Sequence, residues 1–92
     1  MTEDLVRRHV VVHGRVQGVF FRDTTRRQAS SRGVAGWVSN RPDGAVEAVF
    51  EGEPDAVRSL VEFVSEGPRG AEVERVEDNE EEPEGLSGFD VR

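Results

Sequence analysis

The sequence predicts an α+β fold, with two helices on one face of an antiparallel sheet. Three observations carry that prediction. Short valine-rich runs recur at residues 7–13, 34–40, 45–51 and 71–76, bounded by glycine, proline and acidic turns, as strands are. Residues 53–66 carry Val57, Leu60, Val61 and Val64 at i, i+3, i+4 and i+7, which is one face of a helix. Residues 21–32, between the first two runs, end at Gly33, a common helix stop. The order is therefore strand, helix, strand, strand, helix, strand. Its simplest closed packing is the split βαβ, or ferredoxin-like, arrangement.

Residues 1–6 read as a frayed start. The first strand places His9, Val11 and His13 on one face and Val10 and Val12 on the other, because strand side chains alternate. The two histidines would sit about 13 Å apart, too far to share one metal ion. They read as partly exposed strand residues, and no metal site is expected. The first helix has a thin apolar stripe of Phe21, Thr25 and Ala29, and Arg26, Arg27 and Arg32 are expected to face solvent. The second strand ends at Asn40. Arg41-Pro42-Asp43-Gly44 has proline and glycine where a turn wants them, so strands two and three form a hairpin. Val46, Ala48 and Phe50 share one face of the third strand. Pro54 sits in the first turn of the second helix, where its missing N–H costs nothing, and Gly67-Pro68 ends that helix. The fourth strand has Val73 among alternating charges. Residues 78–88 are acidic and broken by Pro83, Gly85 and Gly88, so they read as a solvated loop. Residues 89–92 form a short final strand.

The chain has 92 residues, the size of one domain. It contains no cysteine, which excludes disulfides and thiolate metal sites and fits a reducing compartment. No apolar run approaches the roughly 20 residues of a membrane span, and Met1-Thr2-Glu3-Asp4 lacks a signal-peptide pattern. The expectation is a cytoplasmic protein with no membrane partner. The net charge of −7 is unevenly spread: residues 1–41 carry eight Arg and three acids, residues 42–92 four Arg and sixteen acids. The basic part suits a negative small-molecule substrate, whereas the acidic total argues against a nucleic-acid partner. All twelve basic residues are arginine. That composition fits either adaptation to high salt or coding drift from lysine to arginine. A melting temperature that rises from low to molar salt marks the first, and a flat one the second.

Gly14-Arg15-Val16-Gln17-Gly18-Val19-Phe20-Phe21-Arg22 lies between the first strand and the first helix. Two glycines, successive backbone amides and a closing arginine make a candidate phosphate cradle. Amides in a turn or at a helix N-terminus form an anion-binding concavity, and a guanidinium grips phosphate through two bonds. The candidate phosphate contacts are Arg15, Val16, Gln17, Gly18, Val19 and Phe20 through the loop, with Arg22 closing it. The stretch is no nucleotide fingerprint: a Walker loop needs a Gly-Lys-Ser/Thr end, and Gly14-x-x-x-Gly18 does not match Gly-x-Gly-x-x-Gly. A short glycine motif is equally compatible with an ordinary strand-to-helix loop.

This nine-residue stretch resembles the first signature of the acylphosphatase family. Gly36-Trp37-Val38-Ser39-Asn40, followed by Gly44-Ala45-Val46 and Gly52, resembles its second. The resemblance runs from about Val10 to Phe89-Asp90-Val91-Arg92. One departure is Ser39, where the family more often has a long basic or polar residue. The resemblance implies the same ferredoxin-like fold, a cofactor-free hydrolase of acyl phosphates, and two catalytic residues: Arg22 to bind the phosphate and Asn40 to orient the attacking water. By itself, a strand-end asparagine such as Asn40 reads equally as a turn residue.

The topology brings both signatures to one edge of the sheet. Gly14 and Asn40 end strands one and two, with strand three between them, so the gap is roughly 10 Å. Neither histidine lies in the two signatures, and no Ser-His-Asp set or cysteine nucleophile is evident, so the site offers positioning and charge without an obvious general base. Phosphoryl transfer from a carboxylate leaving group runs on those terms, because its loose transition state needs charge stabilisation more than proton removal. Phe20, Phe21 and Trp37 are expected to pack around the loop. The expected protein is a monomeric enzyme that inorganic phosphate, its product, inhibits. The alternatives are a phosphate- or partner-binding module without turnover and, less favoured by charge, a nucleic-acid binder.

Overall fold

The computed structural model describes residues 4–18 and 20–92. The elements are β1 (Val6–Arg15), α1 (Phe21–Ser31), β2 (Ala35–Asn40), β3 (Val46–Gly52), α2 (Pro54–Glu66), β4 (Glu72–Glu81) and β5 (Phe89–Val91). They form one five-stranded sheet in the order β4-β1-β3-β2-β5, with two helices packed on it. The α+β, ferredoxin-like prediction holds. One part of it changes: β5 runs parallel to β2, so the sheet is mixed and not purely antiparallel.

The alternation expected of β1 and β3 decides the core. Val10, Val12, Val46, Ala48 and Phe50 face the helices and are buried. Val57, Leu60 and Val64 of α2 meet them with no exposed surface, and burying each side chain contributes about 1.5–3 kcal/mol. The thin stripe of α1 is the one expected, with Phe21, Thr25 and Ala29 buried. The other face of the sheet is mixed: Val11 and Val49 are buried on it, and polar side chains pair across its strands. His9 reaches Glu47 across β1–β3 at 2.7 Å, and His13 reaches Glu77 across β1–β4 at 2.8 Å. Both histidines are partly exposed, as expected. No helix among the described residues is long and apolar enough to cross a membrane.

The structure corrects two expectations at the C-terminal end. First, β4 does not stop at Val76 but continues to Glu81, paired with β1 back to Arg7. Residues 77–81 have poor strand propensity, and cross-strand partners override it: Arg8 holds Asp78, and Arg7 holds Glu81. A charged strand suits this position, because an acidic sheet edge resists pairing with another chain. Second, residues 82–88 are not merely a solvated loop. The amides of Glu84, Gly85 and Leu86 donate to the carboxylate of Glu51 at 3.0, 2.7 and 3.1 Å.

Glu51 is 3% exposed and Arg7 7% exposed. The Arg7 guanidinium lies 3.3 Å from Glu51, 2.9 Å from Glu81 and 3.6 Å from Glu84. Burial pushes the Glu51 carboxyl up, but the three loop amides and Arg7 outweigh it and hold the group below the usual carboxylate range. Burial likewise disfavours the Arg7 cation, and the three carboxylates outweigh that, raising its pKa. This cluster ties the start of β1 to β3, β4 and the segment leading into β5.

Candidate active site

β1 ends in a bulge at His13/Gly14. Gly14 has φ +134°, and a Cβ there would come within 2.1 Å of the Glu72 carbonyl oxygen. This glycine therefore serves the close approach of β1 to β4 rather than of a ligand. Gly18 has φ +78° with open space around it, so it shapes the loop itself. Between them, Val16 points into the core and is fully buried. Gln17 turns its side-chain amide toward the β2–β3 turn and donates to the carbonyls of Arg41 and Ala45 at 2.8 and 2.9 Å. The same turn is closed by the Asp43 carboxylate, which accepts from the Ala45 amide and pairs with Arg41. The Ala45 amide and Arg41 hold the Asp43 carboxyl below its usual value. Gln17 thus fastens the loop to the turn that follows Asn40.

α1 opens directly from this loop. Its N-cap is Phe20, in the left-handed region at φ 59°, ψ 26°, with no side-chain cap. The first-turn amides of a helix lack intrahelical acceptors, so an uncapped N-terminus offers donors and a positive dipole end. The Phe20 carbonyl accepts from both the Thr24 amide and the Thr24 hydroxyl, at 3.0 and 2.8 Å. Arg22 follows one residue into the helix and donates to the main-chain oxygen of Arg92 at 2.8 Å. Arg92 is itself placed by its amide on the Val38 carbonyl and by its guanidinium, 4.6 Å from the Trp37 ring centroid.

These elements enclose an open cavity of about 450 Å³ lined by Gly18, Phe20, Phe21, Arg22, Asp23, Arg26, Asn40 and Val91. Arg22 and Asn40, far apart in sequence, share it. Asn40 is half-buried at the end of β2, and its carboxamide makes no hydrogen bond among the described residues. Of the other candidates, Gly18 and Phe20 line the cavity, while the side chains of Arg15, Val16 and Gln17 do not. Val19 lies outside the described residues.

Two expectations change here. Phe20 does not pack around the loop: it is 82% exposed. Phe21 takes that packing role in the core. Arg26 does not simply face solvent but lines the cavity, paired with Asp23 at 3.2 Å; Arg27 pairs with the same carboxylate at 3.1 Å. The Arg26 placement was legible, since it lies four residues after Arg22 on the same helical face. Val91, which lines the cavity, and Arg92, which accepts from Arg22, gave no such signal, because only the parallel pairing of β5 brings them to this edge.

Fold and cavity together define an α+β domain with an open cavity where a strand-end loop meets a helix N-terminus. The family model for Acylphosphatase matches residues 8–91. An acylphosphatase of Rubrobacter xylanophilus is 62% identical over 85 residues, covering 90% of this chain and 76% of that protein. One from Gloeobacter violaceus is 56% identical over 86 residues, covering 94% and 92%. Among solved structures, an acylphosphatase from Coxiella burnetii is 43% identical with a TM-score of 0.91, covering 97% of this chain and 94% of that one. The chain belongs to the acylphosphatase family, whose members are hydrolases acting on acid anhydrides.

Proposed function

We propose that this protein hydrolyses the carboxyl–phosphate bond of acyl phosphates, giving a carboxylate and inorganic phosphate, with charge stabilisation supplied by its own residues and no metal. The observation that carries the reading is the convergence of Arg22 and Asn40 on one cavity at the uncapped N-terminus of α1.

In this mechanism the phosphoryl oxygens sit against the Arg22 fork and the amides of the 15–20 loop. These donors stabilise charge as it develops on the transferring group. The Asn40 carboxamide holds the attacking water in line with the scissile bond. The water oxygen bonds to phosphorus, and the bond from phosphorus to the acyl oxygen breaks with its electron pair going to the carboxylate. The water proton passes to a phosphoryl oxygen of the substrate. A carboxylate leaves without protonation, so no general acid is needed. A plain phosphate ester, leaving as an alkoxide, is a poor substrate on the same grounds. One chain supplies every residue in this scheme, which fits a monomer, and product phosphate binds the same donors as a competitive inhibitor.

The test is hydrolysis of benzoyl phosphate in EDTA by the wild type, Asn40→Ala and Arg22→Ala. Wild-type turnover in EDTA is expected, with most of it lost in Asn40→Ala while phosphate still binds. Arg22→Ala should weaken both turnover and phosphate binding. Full activity in Asn40→Ala would remove the water-orienting role. A wild type that binds phosphate but turns nothing over would leave a phosphate-binding module.

A further inference from the structure

A phosphoryl group and one water do not fill the cavity beside Arg22. Its volume of about 450 Å³ is roughly fifteen times the share of one water in the liquid. The space left over has an apolar lining that the fold does not use. Phe20 is 82% exposed and Val91 41% exposed, and both line this cavity. The other exposed large apolar residues among the described ones, Leu5 and Leu86, lie against different surface hollows.

Phe20 is held in an unfavourable position to do this. A bulky residue at φ 59° is a backbone outlier, and such outliers gather at ligand-binding sites. Thr24 fixes it through two hydrogen bonds to the Phe20 carbonyl. The neighbouring Phe21 fills the core, so folding gains little from the Phe20 ring. Ligand binding would, since covering an exposed ring removes apolar surface from water and adds ring–ring contact for an aromatic ligand. Charge is arranged to leave the phosphoryl group to Arg22. Arg26 and Arg27 are already paired with Asp23, whereas Arg22 meets no Asp or Glu side chain among the described residues and donates to the main-chain oxygen of Arg92.

We propose that Phe20, with Val91, forms an acyl subsite that selects substrates whose acyl group is apolar and aromatic. Phe20 is then a specificity-determining residue. The proposal rests on the acyl phosphate reading above and adds the class of acyl group.

The experiment compares kcat/KM for benzoyl phosphate and acetyl phosphate in the wild type, Phe20→Asn and Val91→Thr. Asparagine tolerates the left-handed conformation, so Phe20→Asn removes the ring while keeping the backbone. The expected result is a benzoyl-to-acetyl ratio that falls about tenfold in Phe20→Asn and a few-fold in Val91→Thr. Phe20→Trp should hold or raise that ratio. Equal losses on both substrates in Phe20→Asn, with no change of ratio in Val91→Thr, would show that Phe20 acts on loop geometry and would overturn the subsite. A wild type inert toward both substrates is a different failure: it overturns the acyl phosphate reading itself.

Discussion

Two arginines near β1 have opposite fates. Arg7, close to its start, is buried and surrounded by Glu51, Glu81 and Glu84. Arg22, in the first turn of the helix that follows, meets one main-chain oxygen and otherwise faces a cavity. The residue type is the same, and its chemistry is set by how many of its donors the fold has already used. A saturated guanidinium holds elements together. One with donors to spare, beside uncapped helix amides, can take an anion.

The largest expected effect breaks the comparison at the functional end. Arg22→Ala should lower kcat/KM for an acyl phosphate by about 10²–10³, the size of losing a donor aimed at developing charge, while the melting temperature changes little. Arg22→Lys keeps the charge but loses the fork, so it should recover only part of that loss. Steady-state kinetics beside thermal melting check both. A large fall in melting temperature would place Arg22 with Arg7 among the structural arginines.

The next effect falls at the structural end. Arg7→Met leaves the Glu51 carboxylate buried without its cation, which should cost about 3–5 kcal/mol of stability. Urea unfolding reads this as a lower midpoint. Activity per folded molecule should stay near the wild-type level.

The same cluster sets an acid limit. The Glu51 pKa lies lower in the folded chain than in the unfolded one. Its contribution is therefore complete above about pH 4.3, the unfolded value, and is lost as pH falls through the folded value. Unfolding free energy measured from pH 6 to pH 3 should fall more steeply in the wild type than in Glu51→Gln, whose baseline is lower. Parallel slopes would mean that other carboxylates govern acid unfolding.

The smallest effect sharpens the comparison by its opposite case, a donor that the fold leaves unused in the core. Thr25 is fully buried in α1, and its hydroxyl has no partner among the described residues. Thr25→Val keeps the shape and removes that unsatisfied group, so it should stabilise by about 1 kcal/mol in the same urea titration.

Much of the fold was legible because its signals are local. The stripe of Val57, Leu60 and Val64, the alternation of Val46, Ala48 and Phe50, and the turn at Arg41–Gly44 each lie within a few residues. They reappear in the structure with shifts of a residue or so at their ends. The candidate site was legible in part. The loop and Arg22 carry their own chemistry, and Asn40 became a candidate through the family resemblance. Gly14 was legible as a special position but not for its reason, since the demand comes from β4 across the bulge. The exposure of Phe20 was hidden, because Phe20 and Phe21 are adjacent and identical in type; only the left-handed turn at Phe20 sends one inward and leaves the other in water.

By itself, then, the sequence determined which segments become strands and helices, which faces are apolar, and that a glycine-containing loop closed by an arginine joins β1 to α1. Short-range periodicity and turn chemistry suffice for that, because each residue's preference is expressed against its immediate neighbours. The tertiary structure alone decided how far β4 runs, that β5 adds in parallel, which arginine is saturated, that Val91 lines the cavity and that Arg92 holds Arg22. Those outcomes rest on contacts such as Arg7 with Glu81 and Arg22 with Arg92, separated by 74 and 70 residues. Partners so distant leave no local pattern, and only closure of the sheet brings them within hydrogen-bonding range.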